Sequence, residues 1–362
     1  MPAETLGAPE VFRLTQPVKE ERLLPEIVAR LAAHRVGCPP YGRILDATGH
    51  GPERAYDRLD ELPWLPVRMF KTHALKSIPD AAVFKTLTSS GTTGTPSRIF
   101  LDQHAAAAQS RMLSRTMQTV LGPHRLPMLL VDTRAILADR RTFSARGAGV
   151  LGMMGFGRDH AWALDADGAV DLPTIEAFIK KNGDKPFLIF GFTFMVWLHL
   201  YERARDNGWD LSNGVLVHSG GWKQLQDRAV APAEFRRRFQ QDTGLRRIHN
   251  FYGMVEQIGT VFLEGPDGGG LYCPDFADVI IRDPRTWAVQ PPGAPGLIEL
   301  ISTLPTSYPG NVLLTEDLGV IHGVDDGAWP GKRFEVLGRL PRAEARGCSD
   351  VYAVPAQGRT AR

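Results

Sequence analysis

The stretch Thr88-Ser89-Ser90-Gly91-Thr92-Thr93-Gly94-Thr95-Pro96-Ser97 decides how the rest of the chain reads. From Ser89 to Thr95 it packs five hydroxyl residues and two glycines into seven positions. Val83 to Leu87, short and β-prone, leads into it, and an alanine-rich segment from Gln103 to Val120 follows with the pattern of a helix. Glycines let backbone N–H groups approach closely and the hydroxyls add donors, so strand, loop and helix together read as an anion cradle. No Gly-Lys-Ser/Thr follows, which excludes the Walker A form of phosphate loop.

Composition narrows the class. The 362 residues suffice for a large core of several subdomains or two domains. Lys and Arg number 42 against 40 for Asp and Glu, a formal net charge of +2, so no basic face is implied and nucleic acid is not expected as a partner. Cys38, Cys273 and Cys348 are odd in number and far apart, which argues against a disulfide framework and for a reducing cytosol. No pair of them has metal-ligand spacing. Met1 to Glu20 lacks an apolar signal region, and the apolar run from Pro186 to Tyr201 is shorter than the ~18–20 residues of a membrane span. A soluble, cytoplasmic protein is expected.

Val18 to Ala32 carries a helical pattern with Leu23, Leu24, Ile27, Val28 and Leu31 on one face, and Pro25 places the expected start near Leu24. This front portion reads as a helical layer packed on a sheet. Pro127 to Asp132 is expected to be a buried strand. Gly147 to Gly152 matches G-x-G-x-x-G formally, but no strand leads into it, so it reads as a set of packing glycines. Phe187 to Phe194 reads as a strand entering a helix, and Phe190, Gly191, Phe192 and Phe194 form a candidate apolar substrate pocket. Val215 to Val217 and Ile248 to Phe251 read as strands that run into Ser219-Gly220-Gly221 and Tyr252-Gly253. Strands ending in such loops, with helices between, are the layout of an α/β sheet whose carboxyl edge binds a ligand. From Gly270 onward helices fade, and Val279–Ile281, Leu297–Ile301 and Val312–Thr315 suggest a small β-rich subdomain. The end of the chain from Val354 is polar and is expected to be disordered.

The hydroxyl loop resembles the phosphate loop of adenylate-forming enzymes, Ser/Thr-Ser-Gly-Ser/Thr-Thr-Gly-x-Pro-Lys, with Ser97 in place of the Lys. Four more segments match that superfamily in order. These are Ser219-Gly220-Gly221, Tyr252-Gly253-Met254-Val255-Glu256, Thr315-Glu316-Asp317 and Gly338-Arg339. The resemblance implies ATP and Mg²⁺ as cofactors. It implies Thr88, Ser89, Ser90, Gly91, Thr92, Thr93 and Gly94 around the phosphates, and Ser219, Gly220 and Gly221 against adenine. Tyr252 and Gly253 would stack there too, with Asp317 on the ribose, Arg339 beside it and Glu256 on Mg²⁺. The fold implied is the large N-terminal α/β domain of that superfamily, sheets sandwiched by helices plus the β-rich subdomain.

After Arg339 only 23 residues follow, so the usual mobile C-terminal domain and its catalytic lysine have no counterpart in this sequence. What stands there instead, together with Phe70-Lys71, Ser97-Arg98 and His218 to Lys223, closely resembles the acyl-protein synthetase (LuxE) family over about residues 10 to 350. That resemblance implies activation of a fatty or other carboxylic acid to acyl-AMP, then acyl transfer to Cys348 and on to a partner such as a reductase or carrier. An extended tail carries Cys348 at most about 30 Å past Arg339. Lys223 is the expected replacement for the missing lysine, with Arg98 and Arg339 as alternates. The division expected is a core of residues 1–340 and a tail of 341–362. The core comprises a helical front layer (1–85), an α/β nucleotide-binding part (86–265) and the β-rich subdomain (266–340). Two other readings stay open, an aryl- or acyl-CoA ligase of the phenylacetate type and a non-catalytic nucleotide-binding subunit.

Overall fold

The computed structural model describes residues 11–89, 95–137, 145–222 and 228–340. Fourteen strands run through them: β1 Leu65–Pro66, β2 Lys85–Thr88, β3 Arg98–Leu101, β4 Leu126–Thr133, β5 Gly157–Leu164, β6 Phe187–Phe192 and β7 Gly214–Ser219. The rest are β8 Arg247–Tyr252, β9 Phe262–Glu264, β10 Leu271–Tyr272, β11 Ala277–Arg282, β12 Gly296–Ser302, β13 Val312–Val324 and β14 Lys332–Arg339. Twelve form one sheet in the order β11-β12-β13-β14-β10-β9-β8-β7-β6-β4-β5, with β1 paired beside β13, while β2 and β3 make a separate hairpin. The sheet has two natures. Strands β8, β7, β6, β4 and β5 are parallel, whereas every pairing from β8 through β9 to β11 is antiparallel.

Sequence explains the difference. Parallel strands need crossover segments and are covered on both faces, so they read as continuous apolar runs. Phe187–Phe192 is buried at all six positions, and Met128 to Val131 are fully buried. Helix Gln103–Leu121 precedes β4 in the chain, Leu172–Asn182 lies between β5 and β6, and Pro232–Thr243 lies between β7 and β8. Asp102 caps the first by accepting the Ala105 N–H at 2.7 Å, and Asp171 caps the second through Thr174 at 3.0 Å. No helix follows Gln257 among the described residues, because Gly and Pro close each antiparallel turn before a helical repeat can start.

Two expectations need correction. The front helix runs Gln16–Gly37, so Pro25 lies in its interior rather than its first turn. An interior proline costs about 3 kcal/mol. Leu23, Ile27 and Leu31 on the same helix are buried in the second core cluster, each contributing about 1.5–3 kcal/mol, and together they outweigh it. Lys19, fully buried on this helix, pairs with Asp278 at 3.6 Å and ties it to β11. The hydroxyl loop also departs from strand–loop–helix order. It joins the two strands of the β2–β3 hairpin, and β3 stands between it and the helix Gln103–Leu121 because Ile99 and Leu101 are buried.

Gly147 to Gly152 lie inside the helix Ala145–Met154, and a Cβ on Gly149 would touch the Phe192 ring at 3.6 Å, which is a packing role. That helix is clasped to the carboxyl end of β4 by a buried ion pair. Arg146 Nε and Nη2 donate to Asp132 Oδ2 at 2.8 Å and Oδ1 at 2.6 Å. Among the described residues no helix is long and apolar enough to cross a membrane.

Candidate active site

Four segments that sequence motifs single out converge at the carboxyl ends of the parallel strands. The first is the base of the hydroxyl loop. Ser89 and Ser97 close it reciprocally: the Ser89 N–H donates to the Ser97 carbonyl at 3.1 Å and the Ser97 N–H to Ser89 Oγ at 2.9 Å. Thr88 pairs with Arg98 at the end of the hairpin and is exposed. Ser90, Gly91, Thr92, Thr93 and Gly94 lie outside the described residues, as do Lys223 and Cys348.

The second segment leaves β7. Ser219 Oγ donates to the Phe251 carbonyl at 2.8 Å, which fixes the start of the loop against β8. Gly220 has φ +82°, a conformation only glycine adopts without strain, and Gly220 and Gly221 are both exposed. Beneath them Thr193 Oγ1 bonds the His218 ring at 2.9 Å and donates to the Ser219 carbonyl at 3.2 Å. Burial holds His218 neutral, its pKa lowered to about 3.

The third and fourth segments meet each other. Tyr252 ends β8, and its hydroxyl donates to Asp317 Oδ2 at 2.6 Å. Asp317 sits on β13 directly opposite Arg339 of β14, whose Nε donates to Oδ1 at 3.0 Å. The Asp317 N–H is held by Thr315 Oγ1 at 3.1 Å. Burial, then the Asp317 charge, pushes the Tyr252 phenol well above its ordinary pKa. Gly253 leaves room for the Thr260 carbonyl, which a Cβ would approach at 3.0 Å.

Glu256 follows on a single turn, Val255–Gln257, and is 6% exposed. Burial raises its pKa, while the Ser97 hydroxyl and the charge of Arg339 lower it. Ser97 faces the carboxyl without completing a hydrogen bond of ordinary geometry. Sequence reading noted Ser97 as a substitution for the superfamily's lysine and as part of the Ser-Arg pair of the family resemblance, and missed this contact. It also gave Thr193 and His218 no role, although His218 lies in one of the segments that carry the family resemblance.

The remaining expected residues lie deeper. Phe190, Phe192 and Phe194 are 1%, 3% and 6% exposed, and the Phe190 and Phe192 rings meet edge to face at 6.0 Å. A Cβ on Gly191 would come within 2.8 Å of Val131 and Val196, so this glycine is packed on the sheet face. Cys38 and Cys273 are free and buried, and burial raises both thiols, Cys273 to about 12. Among the described residues no cluster of three or more His, Cys, Asp or Glu could hold a metal ion by itself.

The fold is that of the adenylate-forming ligases. It matches an open conformation of 2-hydroxyisobutyryl-CoA ligase in complex with 2-HIB-AMP and CoA at a TM-score of 0.65 and 16% identity, covering 91% of this chain and 77% of that one. A postadenylation state of the same ligase with 2-HIB-AMP gives 0.62 at 17% identity, covering 90% and 70%. In sequence the chain is 24% identical over 302 residues to the long-chain-fatty-acid–luciferin-component ligase of Aliivibrio fischeri, covering 80% of this chain and 78% of the relative. The Vibrio harveyi protein of the same name is 23% identical over 320 residues, covering 85% and 81%. The family profile "Acyl-protein synthetase, LuxE" matches residues 12–354, and the chain belongs to this family of AMP-forming ligases.

Proposed function

We propose that the chain activates a fatty acid with ATP, releasing pyrophosphate, and then loads the acyl group onto Cys348 for delivery to a partner protein such as a reductase or carrier. The observation that carries this reading is the junction of Tyr252, Asp317 and Arg339 beside the buried Glu256. In the first step a carboxylate oxygen attacks the α-phosphorus, forming the acyl–phosphate bond as the bond to pyrophosphate breaks. Asp317 accepts the ribose hydroxyls, Tyr252 and the exposed Gly220 and Gly221 border adenine, and the loop from Thr88 to Gly94 holds the leaving phosphates. Chemistry of this kind is mostly positioning and charge neutralisation.

The residues fit Mg²⁺. A buried carboxylate facing an unpaired hydroxyl offers the hard oxygens such an ion takes, with phosphate oxygens completing its shell. When bound, Mg²⁺ supplies positive charge at the phosphates, and Glu256 would hold it there. Lys223 adds charge to the same end, and Phe190, Gly191, Phe192 and Phe194 wall the acyl chain. In the second step a thiolate attacks the acyl carbonyl, the thioester forms and AMP leaves. The raised, buried thiols of Cys38 and Cys273 suit neither attack nor delivery, which supports Cys348 as acceptor. The core (1–340) carries activation and the tail (341–362) delivery, and dependence on ATP sets the work in the cytoplasm.

Labelled fatty acid and ATP, followed by denaturing separation, test the reading. Hydroxylamine-labile label on the protein, lost in Cys348→Ser while pyrophosphate exchange persists, is the expected result. Soluble acyl-CoA without labelled protein would replace it with a CoA ligase, and absence of pyrophosphate exchange would leave a nucleotide-binding subunit.

A further inference from the structure

Ser97 stands where the hydroxyl loop meets Glu256. It is fully buried, its backbone closes the loop through both hydrogen bonds to Ser89, and its hydroxyl is left without a completed bond against the Glu256 carboxyl. The buried Tyr308 hydroxyl lies within electrostatic range of Glu256 and faces the Ile258 N–H. Gly310 allows this packing, since a Cβ there would collide with the Tyr308 ring and stand 2.9 Å from the Glu256 carbonyl oxygen. Leaving a buried hydroxyl unsatisfied costs about 1–3 kcal/mol. At Ser97 that group stands against a buried carboxyl, where a cation could use both oxygens.

We propose that Ser97 is a positioning residue. Its hydroxyl orients the Glu256 carboxylate toward a divalent cation while its backbone sets the base of the hydroxyl loop, so that cation and nucleotide phosphates are held in one register. The proposal rests on the reading of ATP use above. A lysine at this position would bring a charge that competes for Glu256; a serine leaves the carboxylate to the metal.

Manganese serves as the probe, its binding to the full-length protein with ATP followed by electron paramagnetic resonance. Ser97→Ala keeps both backbone bonds to Ser89 and is expected to weaken Mn²⁺ binding roughly tenfold, the scale seen when a partner of a metal ligand is removed. ATP affinity without metal and the KM for fatty acid are expected to hold. Ser97→Cys, close in size, guards against a folding defect and is expected to fall in the same direction. In a Glu256→Gln background Ser97→Ala should add no further loss. Folded Ser97→Ala or Ser97→Cys protein that binds Mn²⁺ with ATP as the wild type does overturns the proposal alone. Wild type that binds no ATP overturns the functional reading and this inference with it.

Discussion

Tyr252 and Asp317 stand on β8 and β13 with three strands between them in the sheet, yet a 2.6 Å hydrogen bond joins them. The Tyr252 ring spans the gap by resting against Phe262 and Phe334, at 6.3 and 6.4 Å between centroids. The bond couples the parallel and antiparallel halves of the sheet at the proposed nucleotide site. A hydrogen bond to a charged group contributes about 1.5–3 kcal/mol. Tyr252→Phe is therefore expected to lower the unfolding free energy by that amount without nucleotide, measured by urea denaturation. An unchanged midpoint would remove this bond from the supports of the fold.

Asp132 and Arg146 form a second buried clasp, 1% and 3% exposed. Removing one partner strands a buried charge, so Asp132→Ala or Arg146→Ala should each cost about 3–5 kcal/mol. The double variant should cost clearly less than the sum, and a denaturant double-mutant cycle checks it. Strict additivity would show the two side chains acting separately.

His34 ties the front helix to its surroundings, Nδ1 bonding Ser77 Oγ at 2.7 Å and Nε2 the Pro305 carbonyl at 3.3 Å. Burial lowers its pKa from 6.5 to about 4. The folded pKa lies below the unfolded value, so the stabilisation is complete above pH 6.5 and is lost as pH falls toward 4. By about pH 5 the wild type should have lost about 2 kcal/mol relative to about pH 7.5 from this residue. The stability gap between wild type and His34→Gln, followed by urea melts across that range, should narrow by that amount. A gap independent of pH contradicts a neutral buried His34.

Gly191 separates packing from substrate contact. An added methyl would meet Val131 and Val196 at 2.8 Å, so Gly191→Ala should cost about 1–3 kcal/mol by overpacking. Its melting temperature is expected to fall whether or not fatty acid is present, and a variant as stable as wild type would show that β6 can yield there.

Short local motifs in the sequence named several residues that the structure brings together in the candidate site. Tyr252, Asp317 and Arg339, each singled out in the sequence by a few adjacent residues, meet through hydrogen bonds in the structure. Buried strands were equally legible, since Phe187 to Phe192 has no polar position to place outside. What could not be read was long-range pairing. Nothing near Ser97 announces Glu256, and nothing in Thr193 announces His218, because each contact is set by how distant strands stack. The interior Pro25 misled for the same reason, its local penalty being overruled by the burial of Leu23, Ile27 and Leu31. The β3 strand hid because four residues are too few to show a period.

The parallel pairing of β1 with β13 sets Leu65 against Leu313. A ribosome must add roughly 250 residues before the second strand exists, which takes about 10–50 s at ordinary elongation speeds. Throughout that interval the apolar front helix waits without much of the surface it will cover, exposed to chaperones and to neighbouring nascent chains. β14, which pairs with both β13 and β10, emerges later still, so a truncation that removes it should yield aggregated material rather than a soluble, folded core.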